Sequence, residues 1–209
     1  MTAEQPLDKE LRRPRLHHVF LKTPRYAAMK SFYTTVLGMQ TNFDSPGVAF
    51  LTNDHANHRL ALLNHPDLHD VTPDHAGIHH QAYEVESIDD LLSTFVRLKA
   101  EGITPAMSLD HGPTTSFYYQ DPDGHLVELL VANFENDPEE TLRFFASPEF
   151  SSNPLGVPID PELVLQARKA GASPQQIHRQ GYYDRAFSPR EGRPRFAGLP
   201  TTMRPPGAP

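Results

Sequence analysis

The chain has 209 residues, room for one domain or a small pair at about 150 residues per domain, and its 38% hydrophobic and 22% charged content is that of a globular protein. Nineteen Lys and Arg against 26 Asp and Glu leave a net charge of −7, which argues against nucleic acid or an anionic membrane as partner, because either needs a basic footprint. There is no cysteine, so disulfides, thiolate metal sites and cysteine nucleophiles are excluded. No apolar run approaches 18 residues and Met1 to Pro14 lacks an apolar signal core, so the expectation is a cytoplasmic protein without a membrane span.

Two biases remain. Nine of the 12 histidines fall between His55 and His125, and ten of the 21 prolines fall from Pro154 onward. A His-rich body precedes a Pro-rich tail.

In chain order, residues 1–15 read as a polar arm. His17-His18-Val19-Phe20-Leu21 reads as a strand, followed by Thr23-Pro24 as a helix start. Met29, Phe32, Tyr33, Val36 and Leu37 recur at helical spacing and Gly38 stands at the C-terminal stop, which predicts a helix over about 24–37. Short strands are predicted at 39–43, 48–52 and 58–63, separated by turn-rich sequence. The unit reads β-α-β-β-β.

The pattern then repeats. Ile78 to Tyr83 is a strand, Ser87-Ile88-Asp89-Asp90 starts a helix, Ile88, Leu91, Leu92, Phe95 and Leu98 form its apolar face, and Gly102 ends it. Strands follow near 104–108, 115–120 and 125–131, the last two joined by the turn Asp121-Pro122-Asp123-Gly124. His18 and His80 hold the same place in the two units. This predicts an α+β fold of tandem β-α-β-β-β units at 16–64 and 76–133, within a domain over 16–134. Beyond it come a helical extension over 135–181, with helices near 138–146 and 160–170 and a turn near 174–180, and a Pro-rich tail over 182–209 without apolar period.

Strand alternation puts His18 and Phe20 on one face, His80 and Ala82 on one face, and Glu128 with Leu126 and Leu130 on one face of the last strand. By the same parity His17 and His79 point away. Glu128 is then a carboxylate among apolar neighbours and needs a cation. If the two curved sheets form one cleft, His18, His80 and Glu128 meet there, and two imidazoles with one carboxylate form the facial triad of non-haem Fe(II) sites. His55, His65, His69 and His75 lie in polar loops and receive no role.

The segments His18-Val19-Phe20-Leu21, His79-His80-Gln81-Ala82-Tyr83-Glu84-Val85 and Ser116-Phe117-Tyr118-Tyr119-Gln120-Asp121-Pro122-Asp123-Gly124-His125-Leu126-Val127-Glu128 resemble the vicinal oxygen chelate superfamily over about residues 14–135, and within it the single-domain type I extradiol ring-cleaving dioxygenases. The resemblance implies Fe(II), or Mn(II), held by His18, His80 and Glu128, with a catechol-type substrate and O2 as small-molecule partners. It further implies that His58, in Asn57-His58-Arg59-Leu60-Ala61-Leu62, acts as base and near bound oxygen, that Tyr118 hydrogen-bonds a substrate oxygen, and that His111 manages protons, although it stands only seven residues before Tyr118. Laying His125 to Leu130 over His58 to Leu63 puts Ala61 at the place of Glu128, where glyoxalase-like members carry a fourth ligand. Two rivals stay open: another metal-dependent member, such as an isomerase or glyoxalase-like lyase, and a binding protein of the bleomycin-resistance kind. A homo-oligomer is compatible with the sequence.

Overall fold

The computed structural model describes residues 13–70, 76–134 and 137–189. The first unit consists of β1 (Val19–Thr23), α1 (Tyr26–Leu37), β2 (Gln40–Asp44), β3 (Val48–Thr52) and β4 (Leu60–Asn64). The second consists of β5 (His80–Glu84), α2 (Ile88–Ala100), β6 (Met107–Asp110), β7 (Thr114–Gln120) and β8 (Leu126–Ala132). Strand order is β1-β4-β3-β2 in one sheet and β5-β8-β7-β6 in the other, where β9 (Val157–Pro158) adds a fifth strand beyond β6. In both units the first strand runs parallel to the last and the remaining neighbours are antiparallel. A parallel pair requires a crossover, which each helix supplies.

Local sequence accounts for the elements. Ser87 accepts the Asp90 N–H at 3.1 Å, acidic residues occupy the first turn of α2 and basic ones the last, and all five apolar positions predicted for its inner face are buried. α1 ends at Gly38, whose φ of 63° is a left-handed conformation that suits glycine. Its start differs from expectation. The helix begins at Tyr26, and Thr23 acts one turn early by accepting the Arg25 N–H at 2.9 Å.

The repeat extends to the hydrogen-bond register. Phe20 pairs with Ala61 and Phe50 with Ala61 in the first sheet, while Ala82 pairs with Glu128 and Tyr118 with Glu128 in the second. Ala61 and Glu128 therefore hold equivalent places.

The two units share their interior. Val127 of β8 packs with Leu21, Met29, Tyr33 and Leu60 of the first unit, and Val36 of α1 packs with Leu91, Phe95 and Phe117 of the second. The β7–β8 turn is tied to α1: Tyr33 donates its hydroxyl to Asp121 Oδ2 at 3.1 Å, and Arg25, at the start of the helix, reaches Asp123 Oδ1 at 2.9 Å.

The C-terminal extension holds α3 (Pro138–Phe145), α4 (Pro148–Ser152), β9, α5 (Pro161–Lys169), α6 (Pro174–His178) and one π turn (Arg179–Tyr183). The helices expected near 138–146 and 160–170 are present; α4 and β9 are additions that are too short to show a period. Of the tail expected over 182–209, residues 182–189 are described and include buried side chains. Tyr182 is 3% and Phe187 5% exposed, and Asp160 N–H bonds Phe187 O at 2.7 Å, because single aromatics can fill a core without helical or strand spacing. Residues 190–209, most of the N-terminal arm and His75 lie outside the described residues. Among the described residues no helix is long and apolar enough to cross a membrane.

Phe187 packs in the same cluster as Phe95, Val164 and Ile177. Phe187→Ala should cost about 3–5 kcal/mol in urea unfolding. A loss below about 0.5 kcal/mol would mean that residues 182–189 do not belong to the packed body.

Candidate active site

β8 lies between β5 and β7, and Glu128 stands in its middle with 6% of its side chain exposed. Burying a carboxylate is costly unless it is hydrogen-bonded and paired. Both flanking strands provide for it. Tyr118, opposite Glu128 on β7, donates its hydroxyl to Oε1 at 2.8 Å, and His80, the first residue of β5, brings Nε2 to 3.0 Å from Oε2. His111, in the β6–β7 turn, places Nε2 at 2.9 Å from the Tyr118 hydroxyl and 3.9 Å from Glu128 Oε1.

The electrostatics follow from burial and contact. Burial alone would raise the Glu128 pKa, but the interactions with His80, Ser116 and Tyr118 outweigh it and hold the carboxyl below its usual range. Burial and the Glu128 charge push the Tyr118 phenol well up, so it stays a hydrogen-bond donor. Burial pushes His111 down against the pull of Glu128 and Asp110. His80, Glu128, Tyr118 and His111 thus form one continuous polar array under the second sheet.

The other two sequence candidates lie together in the first unit. His17 Nδ1 and His18 Nδ1 are 3.0 Å apart, the rings of His18 and His58 are 4.3 Å apart, and His58 stacks on Phe50 at 4.7 Å. One nitrogen from each of His17, His18 and His58 lies within 4.8 Å of the others, the single such group of three or more metal-binding side chains among the described residues. Partial burial and the neighbouring charges of His18 and His17 lower the His58 pKa.

The structure therefore gathers His80, Glu128, Tyr118 and His111 at one place and His18 and His58 at another. The ligand atoms of His18, His80 and Glu128 do not all lie within 4.8 Å of one another. His17 departs from the parity argument, since it turns toward His18. The ladder begins at Val19↔Leu60, so residues 17 and 18 precede the alternation that the argument assumed. The same holds for His79, whose Nδ1 is 2.8 Å from His80 Nδ1, just where β5 starts. The buried Asp110–His178 pair at 2.9 Å leaves no mark in the sequence, because no period or motif links positions 68 residues apart.

The donor chemistry at Glu128 suits a divalent cation. An ionised carboxylate and an imidazole nitrogen converge to 3.0 Å, the two kinds of donor that non-haem iron and manganese sites combine.

Residues 15–129 match the Glyoxalase/Bleomycin resistance protein/Dioxygenase superfamily. The chain belongs to this superfamily. It is 43% identical over 165 residues to "Biphenyl-2,3-diol 1,2-dioxygenase 2" of Rhodococcus globerulus, covering 78% of this chain and 86% of that protein. It is 36% identical over 166 residues to "Biphenyl-2,3-diol 1,2-dioxygenase 3" of the same organism, covering 78% and 87%. Both alignments are longer than the superfamily match, so the likeness to these two proteins reaches beyond the repeated units.

Tyr118→Phe removes the hydroxyl that meets both His111 Nε2 and Glu128 Oε1 without changing the shape of the core. An unsatisfied buried carboxylate oxygen costs about 1–3 kcal/mol, and that loss should appear in chemical denaturation of the metal-free protein. Unchanged stability would show that Tyr118 does not satisfy Glu128.

Proposed function

We propose that the protein is an extradiol dioxygenase that opens the aromatic ring of a catechol-type substrate with O2, with biphenyl-2,3-diol as the first compound to try. The observation that carries this reading is the buried, ionised Glu128 paired with His80 and flanked by Tyr118 and His111, in a chain 43% identical over most of its length to a protein named for cleaving such a diol.

His80 and Glu128 would hold a divalent ion, Fe(II) or Mn(II), with His18 as the third ligand after its ring leaves His17 and His58. When bound, the metal supplies a template and charge sink for a chelated diol and dioxygen. The rest falls to side chains. Tyr118 orients a substrate oxygen by hydrogen bonding, and its hydroxyl already lies within hydrogen-bond distance of both Glu128 and His111. His111 accepts or returns protons on that side, and His58, whose lowered pKa favours the neutral base, does so on the other. Ala61 places a methyl group where the repeat would otherwise bring a second carboxylate, which leaves open positions for the diol and O2. That vacancy favours ring cleavage over a four-ligand isomerase or lyase. A cytoplasmic location, a small-molecule aromatic substrate and no nucleic-acid or membrane partner belong to the same reading.

The test is anaerobic loading with Fe(II) followed by O2 uptake on a panel of catechols. The parent should bind one ion per chain and consume O2 with at least one diol; His80→Ala and Glu128→Ala should each lose the ion. His58→Phe should keep the ion while turnover falls by about 10²–10⁴, the usual contribution of an acid–base group. Full metal content in both ligand variants, or no O2 uptake with any diol, would sink the proposal.

A further inference from the structure

The proposed chemistry leaves one buried acid–imidazole pair unused, and it sits directly beside His111. Asp110, the last residue of β6, has 2% of its side chain exposed and meets His178 Nδ1 of α6 through Oδ2 at 2.9 Å. Its Oδ1 accepts the Gly112 N–H at 2.9 Å and Asn133 Nδ2 at 3.3 Å. Asn133 Nδ2 also donates to Gly112 O at 2.8 Å, and Asn133 Oδ1 accepts from Thr115 Oγ1 at 3.0 Å. The rings of Phe134, Tyr182 and Tyr183 enclose His178 at 5.6, 5.7 and 5.7 Å. A carboxylate is expensive to bury, and this one is fully engaged in holding a five-residue turn.

The same turn is gripped from its other side. β9 pairs Val157 with Asp110 and Pro158 with Leu109. Gly156, at φ 83°, lies so close that a Cβ there would overlap Asp110 O and His111 Cα, and a Cβ on Gly112, at φ 96°, would run into the Phe144 ring. The backbone of Leu155 also accepts a hydrogen bond from the His111 ring. His178, Val157, Gly156, Leu155 and Phe144 all lie beyond residue 129, where the superfamily match ends. Without them β6 would be a free edge and His111 would stand on an open loop.

We propose that the C-terminal extension is a positioning device for His111, with the buried Asp110–His178 pair as its clamp, fixing the turn so that His111 Nε2 meets the Tyr118 hydroxyl beside Glu128. The claim that this matters for turnover rests on the roles given to His111 and Tyr118 above. The claim that it positions the ring does not. Asp110 and His178 touch no substrate; they act through His111.

The test compares His178→Asn, whose amide nitrogen can stand where Nδ1 stands, with His178→Gln, whose amide reaches past Asp110, and with His178→Leu, which removes the partner. The first readout is the ring-nitrogen NMR signal of His111 in the metal-free protein, assigned by its loss in His111→Gln. The parent and His178→Asn should show one hydrogen-bonded form, and His178→Gln and His178→Leu an averaged, mobile ring. The second readout is ring cleavage, where kcat should fall by about 10- to 100-fold in the Gln and Leu variants, the scale of a misplaced catalytic group, with KM within about twofold and activity kept in the Asn variant. Should His178→Leu fail to fold, the Asn and Gln pair still decides. Unchanged His111 signals in His178→Gln, or equal behaviour of Asn and Gln, would overturn the proposal. If the parent cleaves no diol, the NMR comparison still tests the clamp while the functional reading alone fails.

Discussion

The structure is organised around one buried carboxylate. Glu128 is on β8, an interior strand between β5 and β7, and an ionised group there is tolerable only if donors reach it from both sides. β5 delivers His80 and β7 delivers Tyr118, and both depend on register. A slip of one residue in β8 would turn Glu128 to the opposite face and bring Val127 or Leu129 in its place. The features that fix this register are therefore as much part of the site as the side chains themselves. The Asp121–Gly124 turn sets the β7–β8 pairing, and its Asp121 and Asp123 are anchored to Tyr33 and Arg25 of the first unit.

The two units repeat one ladder but differ at its centre. Equivalent ladder places hold Ala61, Phe50 and Phe20 in one sheet and Glu128, Tyr118 and Ala82 in the other. The second sheet is polar at its centre, whereas the first has an apolar floor on which His58 stacks. The first unit contributes histidines at its rim and a shared core beneath, and the second contributes the buried charge. The C-terminal extension then packs on the second unit through α2 as well as through β6 and the turn that carries His111.

Much of this was legible in the sequence, for physical reasons. The strand–helix alternation, the apolar stripe of α2, the placement of Gly38 and the equivalence of His18 with His80 rest on periodicities of 3.6 and 2 that a regular backbone imposes. Glu128 stood out because alternation placed it among leucines, and Ala61 because the repeat could be laid on itself. What was not legible has no period. His17 joins His18 since the ladder starts at Val19, two residues later than the strand read from the sequence. Tyr182 and Phe187 are isolated aromatics, β9 has two residues, and Asp110 finds His178 only after the extension has folded back. Where the His18 ring points is a matter of rotamer and partner, which spacing does not encode.

The position of that ring decides whether His18 can join His80 and Glu128. In the structure His18 lies with His17 and His58, whereas the proposed chemistry requires it beside His80 and Glu128. The most direct measurement is an anomalous-scattering map at the iron edge from crystals loaded with Fe(II) under anaerobic conditions. The account predicts a single peak bonded to His80 Nε2 and a Glu128 oxygen, with the His18 ring swung over to complete the set. A peak instead among His17, His18 and His58, with His80 still bound only to Glu128, would contradict it.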